Sequence, residues 1–533
     1  MNFSTSDAGD SAPERADSAD DAGASRAGDS VAALSGLAAL EVRLAEDLSR
    51  LELPAREWVI PMQHDGQEVL DVAVIGGGMA GLAASTAIRN LGMRVRVFDR
   101  SPEGYEGPWA TTARMETLRS PKQLTGPALG LSSLTFRAWF EAQFGSVAWQ
   151  AVDKIPRLQW MDYLRWYRRV MKVDIRNDQQ IEKIVPREDG LIALTIRTLN
   201  DNSASAESAF YVVLTRRVVL ATGRDGLGGP SVPSFVDGLP RNLWAHSSDP
   251  FDYGTLAGKR VAVIGAGAST MDSAATALEA GAASVDVLIR RDDFPRVNKS
   301  KGAGNAGLTH GHLHLPDAWR WRIRHYINSV RVPPPRGSTL RVARHDNAFF
   351  NFGCPITSVR SAVGPSGDVV LIDTPKGVFT VDFLIVATGF KVDWSARSEF
   401  AAFAPFIRLW QDRFTPTVGD EDEELSGSPD LGAAFEFKER EPGSCPALAR
   451  IHCFCSPAML THGPVSGDIP AISAGALRLA QGLAASLYSE DIDDHFENIK
   501  RYDDPELLGD EWQPADRSPN MMPAHSTGTE GQS

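Results

Sequence analysis

The stretch Val69 to Arg100, VLDVAVIGGGMAGLAASTAIRNLGMRVRVFDR, constrains this chain more than any other. Val72, Val74 and Ile75 form a short apolar strand that runs straight into Gly76, Gly78 and Gly81. Leu82 to Leu91 has helical spacing, and Arg94 to Phe98 reads as a second strand. A lone G-x-G-x-x-G also makes ordinary turns. Here it stands between strand and helix, and an acid, Asp99, follows 18 residues after Gly81; together these make the dinucleotide-binding context. Gly76 permits the tight turn, Gly78 lets backbone approach a pyrophosphate, and Gly81 lets helix pack on strand. The helix start, with Met79 and Ala80, offers N–H groups and a positive dipole end to phosphates. Asp99, with Arg100 beside it, is placed to accept from the ribose hydroxyls of an adenosine.

The pattern recurs in Lys259 to Arg291, KRVAVIGAGASTMDSAATALEAGAASVDVLIRR. Gly265 and Gly267 hold the first two glycine positions, Ser269 follows, and Thr270 takes the third. A side chain there is expected to push helix from strand. No acid closes the second strand; Arg290 and Arg291 stand in its place. A guanidinium fork suits a 2′-phosphate that a carboxylate would repel, so this site is read as one for NADPH and the first as one for FAD.

Two Ala-Thr-Gly ends, 221–223 and 387–389, finish apolar strands, and Gly223 and Gly389 are counted with the cofactor-binding residues. They fall where the chain would cross between two domains, a natural hinge. The fold expected is α/β, with two Rossmann-like dinucleotide-binding domains and the NADPH domain inserted in the FAD domain. The organisation is an acidic tail at 1–30, a helix and linker at 31–63, and the first part of an FAD-binding domain at 69–225. An NADPH-binding domain with an insert follows at 226–380, then the FAD-domain return segment at 381–502 and a loose tail at 503–533. Val31 to Leu53 reads as an amphipathic helix lying on the domain that follows, and Met161 to Met171 as another helix. Ile181 to Leu220 is expected to be a small β meander turning at 200–208, and Val381 to Phe390 a buried strand. Ile469 to Gly475 begin a last helix that points at an electron-rich ring.

Composition limits the function classes. Fifty-four Lys and Arg against 68 Asp and Glu give a net charge of −14, which argues against a general nucleic-acid binder. The first thirty residues hold seven acids, two arginines and Phe3 as their single aromatic, too little apolar surface to offset ordering. They also lack the basic start and apolar core of a secretory signal. No run of 18 apolar residues suggests a membrane span. Four cysteines form no disulfide framework, so a reduced cytoplasm is the expected location. His310, His312 and His314 alternate, yet no acid or cysteine stands suitably near; a polar loop is expected there and no metal site.

One chain with both an FAD and an NADPH site can pass hydride from NADPH to flavin and electrons onward. Cys354 and Cys445 are isolated and Cys453-Phe-Cys455 is poorly spaced for a redox pair, so oxygen is the better acceptor than a disulfide. The order GGGMAGL, Gly107-Pro108-Trp109, ATG at 221–223, GAGAS with Asp272, and ATGF at 387–390 resembles the class B flavin-dependent monooxygenases. That group spans the flavin-containing, Baeyer–Villiger and N-hydroxylating enzymes, and the likeness covers Val69 to Tyr488. It implies a flavin C4a-(hydro)peroxide that inserts one oxygen atom of O2 into a small molecule, at an amine nitrogen or sulfur, with NADP+ retained. It also implies that Trp109 lies against the flavin and that Arg119 to Lys122 line the oxygen-reactive side. The alternatives are an FAD-dependent NAD(P)H reductase or oxidase without insertion, and a silent flavoprotein used as a redox sensor or scaffold. No residue is singled out as catalytic, and oligomerisation is left open.

Overall fold

A computed structural model describes residues 35–200, 209–365 and 367–514. The expected tail at 1–30, the turn at 201–208 and the end of the chain from 515 lie outside the described residues.

The first apolar strand, Gln67–Ile75, is the centre of an eight-stranded sheet. On one side it pairs in parallel with Val95–Phe98, then Ile175–Arg176; on the other with the long strand Phe210–Leu220. That long strand has two jobs. Its first half closes the antiparallel meander with Gln179–Pro186 and Ile192–Thr198, while Val218 to Leu220 take Ile451–Cys453 in parallel. Buried on both faces, 218–220 is uniformly apolar, as a parallel core strand must be. The helix Met79–Asn90 lies between this sheet and the C-terminal helix Ile472–Glu490. Ala83, Ala84, Ala87 and Ile88 make it narrow and apolar all round.

The second sheet is wholly parallel, in the order Ala348–Asn351, Ser284–Leu288, Arg260–Ile264, Phe383–Val386, Trp244–His246. Alternation sorts its faces. Val261 and Val263 pack with Met271 and Ala274 of the helix Ala268–Glu279, while Ala262 and Ile264 pack against Val370 and Ile372 of a three-stranded meander. The NADPH-type domain is inserted in the FAD-type domain, as expected, with one shift. Phe383–Val386 pairs with Arg260–Ile264 and so belongs to the second sheet; the return segment starts after it, not at 381. The Ala-Thr-Gly turns lie side by side at the crossing. Gly223 and Gly389 both have positive φ, 88° and 86°, and the strands beyond, Gly228–Pro230 and Phe390–Val392, pair as an antiparallel ribbon. A β-carbon on Gly228 would overlap the Lys391 carbonyl oxygen, so the two crossing segments touch backbone to backbone.

The histidine stretch is helical and not the polar loop expected: His310 lies in the short helix Ala306–Gly311 and His312–His314 is a 3-10 turn, followed by the longer helices Asp317–Val330 and Arg336–Ala343. The N-terminal helix, Gly36–Arg50, packs on Phe136–Ala151 of the domain that follows, as expected. Glu41 anchors it by accepting from Trp166 Nε1 and Arg169. Among the described residues no helix is long and apolar enough to cross a membrane.

Candidate functional site

The carboxyl ends of the parallel strands in both sheets open into one cleft of about 3560 Å³. A pocket for one drug-sized ligand is roughly 300–1,000 Å³, so this cleft has room for two dinucleotides and a substrate. Gly76, Gly78, Met79, Ala80, Asp99, Arg100, Trp109 and Gly223 line it from the first domain. Gly265, Gly267, Ser269, Arg290, Arg291 and Gly389 line it from the other side. Gly81 and Thr270, expected with them, do not reach it; both act inside the turn.

At the first turn, Gly76 has φ +104°, and a β-carbon on it would press on the Ala221 carbonyl. A β-carbon on Gly81 would stand 1.9 Å from the Gly76 carbonyl oxygen, so the helix sits as close as backbone permits. Gly78 differs: its β-carbon would meet only Gly107 Cα, at 3.6 Å. The fold leaves room for a side chain there, so packing alone does not require glycine at 78. This is the cradle an FAD pyrophosphate needs, at the uncapped start of a helix. Asp99 has a task the sequence did not reveal. Its two oxygens accept the Gly77 and Ser101 N–H groups, at 2.6 and 2.7 Å, which fixes the turn from which it lines the cleft.

At the second turn, Thr270 does not force helix from strand. It is fully buried, and its hydroxyl accepts the Gly267 N–H at 3.3 Å. It occupies the space that a β-carbon on Gly265 would need, and Gly265 has φ +138°. Neither Arg290 nor Arg291 donates a side-chain hydrogen bond to a described residue, leaving both guanidiniums available at the end of Ser284–Leu288.

Trp109 lines the cleft and meets Trp160 edge-on, ring centroids 6.5 Å apart. Of the segment Arg119 to Lys122, the first three residues line the cleft. Lys122 does not. Its ammonium donates to the Trp149, Gln150 and Val152 carbonyls and closes the end of a helix. Arg119 reaches across the cleft to Asp272 at 3.1 Å, so the two domains share an ion pair. Burial pulls the Arg119 guanidinium below its usual range, and Asp272 opposes that. All four cysteines are free; Cys453 and Cys455 are fully buried with sulfurs 3.5 Å apart, and burial pushes the Cys453 thiol up. A thiol held protonated in the core is a poor redox partner. His312 is buried with Nε2 3.1 Å from the Leu460 carbonyl. Among the described residues no group of three or more His, Cys, Asp or Glu gathers as a metal would require.

Sequence reasoning missed three charged residues that line the cleft: Arg224, Arg324 and Asp468. Arg224 directly follows the first Ala-Thr-Gly and Asp468 precedes the last helix; both positions are signals that went unused. Arg324, in the helical run WRIRHYIN, carries none. Burial lowers the Arg324 pKa while Glu424 and Asp468 oppose it. Burial raises that of Asp468, with Arg324 and Arg224 acting against it.

The model of the family described as L-lysine 6-monooxygenase/L-ornithine 5-monooxygenase matches residues 68–306. The chain is 38% identical to the FAD-dependent urate hydroxylase of Xanthomonas campestris over 480 residues, which are 90% of this chain and 98% of that enzyme. Two solved structures share the fold at low identity. The ornithine hydroxylase of Pseudomonas aeruginosa superposes with a TM-score of 0.59 at 15% identity, covering 78% of this chain and 98% of that one. An ornithine N-hydroxylase of Kutzneria, bound to FAD, NADP+ and L-ornithine, gives 0.59 at 14%, covering 78% and 99%.

Proposed function

The chain belongs to the class B flavin-dependent monooxygenases, in one family with the Xanthomonas urate hydroxylase, and on that premise we propose that it hydroxylates a urate-type heterocycle. One substrate, O2, NADPH and a proton give hydroxylated product, water and NADP+, so atoms and electrons balance. FAD, when bound, supplies the redox chemistry between coenzyme and dioxygen. The chain's residues bind, orient and exclude water. Gly76, Gly78 and the helix start at Met79 cradle the FAD pyrophosphate, and Asp99 holds that turn and the adenosine ribose. Gly265, Gly267 and Ser269 take the pyrophosphate of NADPH, and Arg290 with Arg291 its 2′-phosphate. Trp109, seated on Trp160, keeps water from the flavin side of the cleft.

The carrying observation is the 38% identity across 98% of the urate hydroxylase. A second reading, oxygen insertion at an amine nitrogen, is favoured by the lysine/ornithine family match. That match ends at 306, before Arg324 and Asp468. Turnover of purified enzyme with NADPH under labelled dioxygen decides between them. Urate is expected to be consumed with one label per product molecule, and L-ornithine and L-lysine to be left unchanged. Labelled hydroxylamine from either amino acid, with urate untouched, overturns the urate reading; NADPH consumption with no labelled product overturns oxygen insertion itself.

A further inference from the structure

We infer that Arg224, Arg324 and Asp468 form the recognition site for the substrate, a planar cyclic ureide carried as its monoanion; this rests on the urate-type reading above.

The backbone brings the three together. The Ser456 N–H donates to the Gly223 carbonyl at 3.2 Å, tying the Arg224 turn to the segment that runs from Ser456 to Asp468. Gly467 packs back on Ser456, with a β-carbon there 3.8 Å from Ser456 Cα. On its other side the same segment carries Leu460, which is buried with Trp321 and Trp410 and so seats the helix Asp317–Val330 that bears Arg324. A turn, a loop and a helix from separate parts of the chain thus deliver one charged group each to one wall of the cleft.

Several other charged groups lining the cleft are engaged, although Arg290 and Arg291 at the NADPH-type turn, and Arg100, Lys301, Arg331 and Arg336, also have no side-chain partner among the described residues. Arg119 pairs with Asp272, Arg341 with Glu279, and Arg397 with Glu399, while Lys154 donates to the Arg119 and Ser120 carbonyls. By contrast, Arg224 and Arg324 donate no hydrogen bond to a described residue, and the Asp468 carboxylate accepts none. No ion pair within 4.0 Å joins them, although Arg324 and Arg224 both act on the Asp468 carboxylate. Opposite charges that sense one another across a gap, with no protein partner, leave space for a polar ligand between them. Keeping such charges unpaired costs stability unless a ligand completes them.

The chemistry of the three selects the ligand. Two guanidiniums and one carboxylate leave one net positive charge, which complements a monoanion and opposes a diamino acid of net positive charge. A guanidinium fork fits neighbouring carbonyl and anionic ring atoms in a plane, and a carboxylate accepts a ring N–H. A cyclic ureide presents both kinds of edge in one flat ring.

The test is equilibrium binding of urate to the oxidised holoenzyme without NADPH, read by dialysis, with flavin content and melting temperature measured alongside. Parent enzyme is expected to bind urate and not L-ornithine. Arg324→Gln and Asp468→Asn are each expected to weaken urate about ten- to hundred-fold, the worth of one charged hydrogen bond. Arg324→Lys keeps the charge and loses the fork, so a smaller loss is expected; it also serves if the Gln variant does not fold. Urate binding by these variants equal to the parent's overturns the site while the urate reading stands. A parent that binds ornithine, or fails to bind urate, overturns the reading and the site together.

Discussion

At the first nucleotide turn a β-carbon on the third glycine, Gly81, would collide with the Gly76 carbonyl oxygen; at the second turn the matching position carries Thr270 without strain. The distinction lies in who fills the space under the turn. In the first, backbone meets backbone and nothing else fits. In the second, the threonine hydroxyl fills it and accepts the Gly267 N–H. A motif position is therefore a demand for space and a satisfied N–H, and glycine is one of two ways to meet it. The strand ends differ in the same spirit: Asp99 accepts the Gly77 and Ser101 N–H groups, whereas Arg290 and Arg291 have no side-chain partner among the described residues.

The contrast breaks most readily at the third position. Gly81→Thr is expected to cost at least about 3 kcal/mol, because the clash is with backbone that cannot rotate away. Thermal denaturation checks it, and a variant that melts with the parent would show the first turn to be as permissive as the second. Gly78→Ala sharpens the point: the melting temperature of the apoprotein should hold while FAD occupancy falls, measured as flavin absorbance per polypeptide.

Next in size is the coenzyme end. Changing Arg290 and Arg291 together to Ala should raise the KM for NADPH about ten- to hundred-fold and leave that for NADH nearly unchanged. Steady-state kinetics with both coenzymes reads this, and an equal rise in both would place the arginines outside 2′-phosphate recognition.

The two sheets also differ in how charge fastens them. Arg216 is fully buried and bonds both oxygens of Asp491 at 2.7 Å, while Glu490 takes Arg217 at 2.7 Å and Arg450 at 3.0 Å. The second sheet's matching pair, Arg260 with Asp382, is largely exposed. Burial raises the Glu490 pKa, but Arg217, Arg216 and Arg450 override it and hold the carboxyl at about 2 against an ordinary 4.5. A depressed folded pKa contributes stability above 4.5 that is lost as pH falls through about 2. That contribution is at most roughly 3 kcal/mol. Glu490→Gln should flatten the pH dependence of stability between those values, followed by denaturant titration; an unchanged slope would remove the lock. The smallest effect is Thr270→Val, which keeps shape and strands one N–H, for about 1 kcal/mol by denaturant titration.

Both βαβ units, the glycine turns that open into the cleft and the inserted order of domains were legible in the sequence. Each is a local pattern, in which period, glycine spacing and one terminal charge fix a strand, a turn and a helix within about thirty residues. What the sequence left open depends on contacts between distant segments. Phe383–Val386 looked like a return strand because a buried parallel strand reads alike in either sheet; only its pairing with Arg260–Ile264 assigns it. The family resemblance implies Lys122 on the oxygen-reactive side, but three carbonyls at 149, 150 and 152 hold it out of the cleft. Thr270 was a defect in one dimension and a filler in three. The wall carrying Arg224, Arg324 and Asp468 draws on segments 100 and 144 residues apart, and no periodicity or motif spacing encodes that meeting. Local patterns determine the two nucleotide-type turns; packing of the Ser456 to Asp468 segment between a turn and a helix decides which charges from the chain's separate segments meet.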